Sequence, residues 1–111
     1  MDSDISGVGQ PIGPREKRMY EQEYKHGADL FQRALSQYTQ SSNMYQKAEF
    51  KDVMDQALQV MNQTANSLMR QELQKQNEQI TKDYANFQKF PDDPDMQQQL
   101  NQDLSQAKKN L

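Results

Sequence analysis

The stretch FKDVMDQALQVMNQTANSL, residues 50–68, decides the fold class. From Phe50 to Leu68, apolar or small side chains recur at steps of 4, 3, 4, 3 and 4 residues. This period places them in a line along one side of an α-helix, which we call an apolar seam. A seam of this kind predicts packing against another helix. The residues of this helix that we predict to contact protein are Phe50, Met54, Leu58, Met61 and Leu68.

A second seam with the same spacing lies upstream. It runs through Tyr20, Tyr24, Gly27, Phe31, Ala34 and Tyr38. Within this helix we predict protein contacts for Tyr24, Phe31, Leu35 and Tyr38. Gly27 has two interpretations. Either it lets another helix backbone approach closely, or it is a tolerated helix glycine that costs about 1 kcal/mol.

The polar segment TQSSN, residues 39–43, interrupts the apolar pattern. Its side chains compete for backbone hydrogen bonds, and Ser, Thr and Asn favour helix starts and turns. We predict a turn here, with Ser41, Ser42 or Asn43 capping the next helix. The alternative is a bend within one long helix.

No glycine or proline lies between Gly27 and Pro91. The sequence therefore predicts one helix over residues 43–89, about 70 Å long at 1.5 Å per residue. Between residues 70 and 79 the only apolar side chain is Leu73. This polar segment is either exposed to solvent or the position of a second break.

The stretch FPDDPDM, residues 90–96, predicts a turn between two helices. Pro91 ends the preceding helix, because the residue before a proline disfavours helical geometry. Asp93 followed by Pro94 is a strong start signal, with an acceptor at the N-cap and proline at the first helical position. The last helix, residues 94–110, carries its apolar side chains at helical spacing.

These features together predict an all-α protein. We expect an elongated helical hairpin or a three-helix arrangement with coiled-coil-like seams. Three of the four glycines lie among the first 14 residues, which favours a flexible N-terminal tail over residues 1–14. Residues 15–111 then form a single helical domain, with helices at about 15–40, 43–89 and 94–110.

The composition limits the possible partners. Only 33% of the residues are hydrophobic, the mean hydropathy is −1.19 and the net charge is −3. Nucleic acid is a poor partner, because phosphate binding needs a basic face. No apolar run reaches the length of a membrane span, and the first residues lack the hydrophobic block of a signal peptide. We expect a protein that is cytoplasmic, or exported without a cleavable signal peptide.

Patterns that carry catalytic chemistry are missing from the sequence. Cysteine is absent, and the single histidine, His26, has no second histidine with which to share a metal. The segment that carries the aspartates of residues 92–95 is shorter than a calcium-binding loop and lacks its central glycine. Helix capping explains these aspartates instead. We therefore expect no enzyme activity, no cofactor, no metal and no small-molecule substrate.

One segment resembles a known family. Residues 91–105, PDDPDMQQQLNQDLS, are similar to the turn and following helix of type III secretion needle subunits, in which a P-x-x-P turn joins two helices. The matching positions are Pro91, Pro94, Met96, Leu100 and Leu104. The match covers about 15 of the 111 residues. The resemblance implies a small helical component of a secretion apparatus, such as a needle-like or inner-rod-like subunit, or a chaperone of one.

Two functions are consistent with these patterns. The first is a non-enzymatic assembly or structural subunit, whose seams pair with copies of itself or with a partner protein. The second is a small acidic chaperone or adaptor that binds an amphipathic helix of a client. Met54, Met61 and Met69 lie on or beside the seam of residues 50–68, and they favour either adaptable binding or ordinary helix packing.

Overall fold

The computed structural model describes residues 12–111, and within them it contains only helices. The all-α class is therefore confirmed. The described residues extend over 57 × 23 × 20 Å. The helices are α1 (Pro14–Gln40), α2 (Met44–Leu68), α3 (Gln71–Lys89) and α4 (Pro94–Lys109).

The four helices form an antiparallel bundle in which each runs against its neighbours in the chain. Hydrogen bonds fix the α2–α3 register, because Tyr84 contacts Asp55 while Asn77, seven residues earlier, contacts Asn62. Helix α4 returns beside α1, since Gln32 of α1 donates to Oδ1 of Asn101 over 3.0 Å. The chain therefore runs up, down, up and down, and α1 and α3 lie diagonally across the core.

The core forms where the seams of all four helices meet. The largest fully buried side chains come from α1, α2, α3 and α4. Aromatic pairs cross the diagonal from α1 to α3: the Phe31 and Tyr84 rings meet edge to face at 5.1 Å, and the Tyr38 and Phe87 rings at 5.5 Å. Such edge-to-face pairs stabilise packing beyond their buried area. Each seam is thus covered by other helices of the same chain.

Gly27 lies where α1 and α2 come closest. A Cβ atom built at this position would lie 3.1 Å from Cγ of Met61 and 3.4 Å from the backbone oxygen of Ala57. A larger side chain would therefore force the two helices apart. Of the two interpretations of Gly27, the structure supports close approach of a second backbone.

The single helix predicted over residues 43–89 is wrong, because the segment contains two helices, α2 and α3. Of the two interpretations of the polar segment 70–79, the structure supports a second break, which lies at the start of that segment. The break falls at Met69 and Arg70, and Met69 adopts the left-handed conformation with φ 55° and ψ 32°. Neither residue is a helix breaker. The chain turns because folding α3 back buries Leu73, Ile80 and Phe87 against the rest of the core. Within residues 12–111 the bundle therefore has four helices, instead of the predicted hairpin or three-helix arrangement.

The other helix ends lie close to the predicted positions. Asn43 caps α2, with its side-chain oxygen accepting from the backbone N–H of Tyr45 and of Gln46. Residues 41–43 thus form a turn between antiparallel helices instead of a bend. Asp93 caps α4 by accepting from the N–H of Asp95 over 2.9 Å. Of the tail predicted over residues 1–14, residues 1–11 lie outside the described part, and Pro14 is already the first residue of α1.

Candidate protein-interaction surface

Most of the residues predicted to contact a protein partner pack inside the bundle. Those that are buried are Tyr24, Phe31, Leu35, Met54, Leu58, Met61 and Leu68. Tyr38 and Phe50 are partly buried. Pro91, Asp93 and Pro94 form the turn between α3 and α4. A partner cannot reach the buried set while the bundle is closed, so a candidate surface has to be sought among the exposed apolar side chains.

One end of the bundle carries three large exposed apolar side chains, which we call the apolar end. Met44 and Tyr45 lie in the first turn of α2 and are 73% and 77% exposed, and Phe90 beside the α3–α4 turn is 57% exposed. The up-down topology brings the α1–α2 and α3–α4 connections to this same end. Large apolar side chains that are gathered on a polar protein indicate a contact site. We therefore take the apolar end as the leading candidate surface.

A shallow groove lies on the outer face of α1 and α2. Met19 and Val60 supply its apolar surface, and they are 51% and 39% exposed. Gln22, Glu23 and His26 complete the lining. The groove is open and lies between two helices, so its shape is suited to another helix rather than to a small molecule.

A chain of polar groups, of which Tyr24 and Asn77 are buried and Asn62 is exposed, joins three helices. The Tyr24 hydroxyl donates a hydrogen bond of 2.8 Å to Oδ1 of Asn77, and the Asn77 amide donates to Oδ1 of Asn62. Burial raises the pKa of Tyr24 above its ordinary value of 10.0, so the hydroxyl remains a neutral donor. These contacts are satisfied within the bundle, and they fix the relative position of α1, α2 and α3.

Tyr84 makes a second polar contact across α2 and α3. Its hydroxyl donates to Oδ1 of Asp55 over 2.5 Å. Burial, and then the hydrogen bond and the charge of Asp55, raise the pKa of Tyr84. Tyr84 is held in its neutral form and its hydroxyl donates to a carboxylate, so the contact is structural, and nothing in this arrangement prepares the hydroxyl to act as a nucleophile.

Two aspartates each keep one carboxylate oxygen buried without a hydrogen-bond partner within residues 12–111. They are Asp83 and Asp103, and in both cases the other oxygen accepts from a glutamine four residues earlier, Gln79 or Gln99. Among the described residues, no three His, Cys, Asp or Glu side chains are grouped so that they could hold a metal ion. The carboxylates therefore do not assemble into a metal centre.

Sequence patterns did not identify the apolar end. Met44, Tyr45 and Phe90 lie outside the heptad spacing of their helices, so a search for seams passes over them. Their position in the sequence could have identified them. Each is a large apolar residue directly beside a polar turn, where the fold does not require an apolar side chain.

No family model matches this sequence, and no curated protein or solved structure matches it. None of the helices within residues 12–111 is long and apolar enough to span a membrane.

Proposed function

We propose that this chain is a non-enzymatic helical interaction protein, a small assembly or structural subunit that binds protein through its apolar end. The observation that carries the proposal is the exposure of Met44, Tyr45 and Phe90, at 73%, 77% and 57%. In a chain with a mean hydropathy of −1.19, apolar side chains are scarce. Three of them stand in solvent at one end, where contact with protein would remove them from water.

The size of this surface favours repeated contacts over one tight contact. Full burial of a Met or Phe side chain contributes about 1.5–3 kcal/mol. Association itself costs about 4–15 kcal/mol in lost translational and rotational freedom. Three side chains contribute at most about 4.5–9 kcal/mol, which lies within the range of that cost, so a single pairwise contact is weak. An assembly in which each subunit makes several such contacts is stable through multivalency.

The resemblance of residues 91–105 to needle-type subunits supports placing this assembly in a secretion apparatus. The resembling segment contains the turn between α3 and α4, where Pro94 begins α4 after the Asp93 cap. The apolar side chains of that segment, Leu100 and Leu104, are buried in the bundle. In the proposed subunit the hairpin therefore serves the fold, and the neighbouring Phe90 serves assembly.

Light scattering on a size-exclusion column over a range of protein concentrations tests the proposal. We expect the average mass to rise with concentration. Replacing Met44, Tyr45 and Phe90 together by Gln should lower the average mass reached at high concentration, because it removes the apolar surface while keeping good helix formers. A variant with Met19→Gln and Val60→Gln is the matched control and should still associate. A wild-type mass that equals one chain at every concentration would refute self-assembly.

The groove on α1 and α2 supports a second candidate function, a small acidic chaperone or adaptor. An amphipathic helix of a client would place its apolar face on Met19 and Val60, in the manner of helix-in-groove recognition. Purification from the native host should then recover one dominant client in a fixed ratio. The groove variant, Met19→Gln with Val60→Gln, should lose that client while the apolar-end variant retains it. The opposite pattern would reject the groove as the binding site.

A further inference from the structure

The connection between α2 and α3 is the one helix break of the bundle that local sequence does not encode. It consists of Met69 and Arg70 alone, and no glycine or proline lies within it. From Leu68 to Gln76 every residue is a strong helix former. Met69 nevertheless has φ 55°, a conformation that crowds its Cβ atom against the backbone. Local preference at this connection favours a continuous helix over the observed turn.

The bundle divides at this connection into two helical hairpins. Helix α1 pairs most closely with α2, and α3 pairs most closely with α4. Between the hairpins lie Tyr24 with Asn77, Phe31 with Tyr84, and Gln32 with Asn101. If α2 and α3 straightened into one helix, all these contacts within the chain would be lost and the core would be exposed.

A second straightened copy can restore every one of these contacts. The α1–α2 hairpin of one copy presents the surface that the α3–α4 hairpin of the other is shaped to cover. We propose that two copies of this chain exchange their α3–α4 hairpins, with α2 and α3 of each copy joined into one continuous helix through residues 69–70. Short connections under strain favour such exchange, because opening them relieves the strain in both copies.

Arg70 opposes the exchange in the closed form. Its guanidinium lies 3.3 Å from a carboxylate oxygen of Glu21 in α1 and donates to the backbone oxygens of Asn110 and Leu111 at the end of α4. The contacts with Asn110 and Leu111 lie within the α3–α4 hairpin and move with it. The ion pair with Glu21 ties the turn to α1, and straightening the turn breaks that pair within the chain. The balance between closed and exchanged forms is therefore set by two adjacent residues, of which Met69 favours opening and Arg70 favours closure.

This proposal deepens the assembly function and rests on it, since it names a second copy as the partner. Substitutions at Met69 test it by mass on a size-exclusion column. In Met69→Gly the left-handed conformation has no Cβ atom to crowd the backbone, so the closed form becomes more stable. We expect the closed form to be favoured by about tenfold per chain, which lowers the association constant of the dimer by about a hundredfold. Met69→Ala keeps the Cβ atom and the penalty, and it should dimerise at least as well as the wild type. Arg70→Ala should dimerise more strongly than the wild type.

Cross-linking distinguishes exchange from association of closed bundles. The chain has no cysteine, so introduced thiols react alone. The double variant Gln32→Cys with Asn101→Cys places thiols on α1 and α4, which face each other across the two hairpins. In exchanged dimers a short cross-linker joins two chains, and denaturing electrophoresis shows a covalent dimer. The control, Gln76→Cys with Asn110→Cys, lies within one hairpin and should give cross-linked single chains in either form.

Three outcomes separate this proposal from the assembly function. Covalent dimers from the Gln32 and Asn101 thiols, together with the Met69→Gly effect, support exchange. A dimer whose Gln32 and Asn101 thiols react only within one chain overturns exchange and leaves assembly through the apolar end intact. If the wild type and Arg70→Ala are both monomeric at every concentration, exchange and self-assembly are refuted together.

Discussion

The buried hydrogen bond between Tyr24 and Asn77 allows a direct test of the bundle. It joins α1 to α3 across the diagonal of the core, and its length is 2.8 Å. In a hairpin whose second helix ran unbroken from residue 43 to 89, these two side chains would lie far apart. A measured energetic coupling between them is therefore specific to the four-helix arrangement.

The size of the coupling follows from the burial of both groups. Tyr24 and Asn77 are 0% and 2% exposed, so water cannot replace a lost partner. Asn77→Leu leaves the Tyr24 hydroxyl without its acceptor, and a buried unsatisfied group costs about 1–3 kcal/mol. Tyr24→Phe leaves the Asn77 oxygen unpaired at a similar cost. When both partners are replaced by apolar groups, neither penalty remains.

A double-mutant cycle measured by urea unfolding, with far-ultraviolet circular dichroism as the signal, checks this reasoning. We expect the double variant Tyr24→Phe with Asn77→Leu to be more stable than the sum of the single losses predicts, by about 1–3 kcal/mol. A control cycle pairs Tyr24→Phe with Asp92→Ala in the distant α3–α4 turn and should be additive within about 0.5 kcal/mol. Additivity in the Tyr24–Asn77 cycle would refute the contact between α1 and α3.

Three further predictions concern other parts of the bundle. Asp93→Ala removes the α4 cap and should lower the free energy of unfolding by about 1 kcal/mol in urea melts, whereas Asp92→Ala, without a capping role, should change it little. Gly27→Leu should lower the melting temperature strongly, because it overpacks the contact between α1 and α2. Gly→Ala within a helix normally raises stability by about 1 kcal/mol, but Gly27→Ala should lack this gain because its Cβ atom would lie 3.1 Å from Cγ of Met61. The pKa values of Tyr24 and Tyr84 are raised in the folded state. The contribution of these two tyrosines to the free energy of unfolding is therefore fully present below the ordinary tyrosine pKa of 10.0 and is lost as the pH rises above it. In unfolding measured as a function of pH, Tyr84→Phe should make this loss at alkaline pH smaller.

The periodicity of the sequence predicts the helices and their buried faces well. The spacing of Tyr24, Phe31 and Met61 reflects a local property, the helical repeat, which a single segment displays without its partners. Capping is equally local, so the Asp93–Pro94 start is visible in the sequence. Because periodicity is a local property, it does not predict which helix covers each seam. A seam predicts that one face of a helix is buried, but it does not predict whether the helix that buries it belongs to the same chain.

The sequence left a second break at residues 70–79 open as one of two interpretations and could not select the observed break at Met69 and Arg70. The observed break depends on long-range burial, because Leu73 and Ile80 gain contacts only when α3 returns along α2. The local signals oppose it, apart from the weak helix formers Asn66 and Ser67 just before it. Tertiary packing outweighs local preference here, and no short window of sequence contains that balance.

The apolar end carries the functional argument because the fold does not require its composition. Met44 and Tyr45 point into solvent from the first turn of α2, where Asn43 alone supplies the cap. Phe90 lies beside a turn that Asp93 and Pro94 already specify. Polar side chains at these three positions would serve the bundle equally well, and a chain with only 33% hydrophobic residues has few to place outside its core. Exposure of these side chains brings the isolated bundle no stability, and this is why we propose that the apolar end contacts another protein surface.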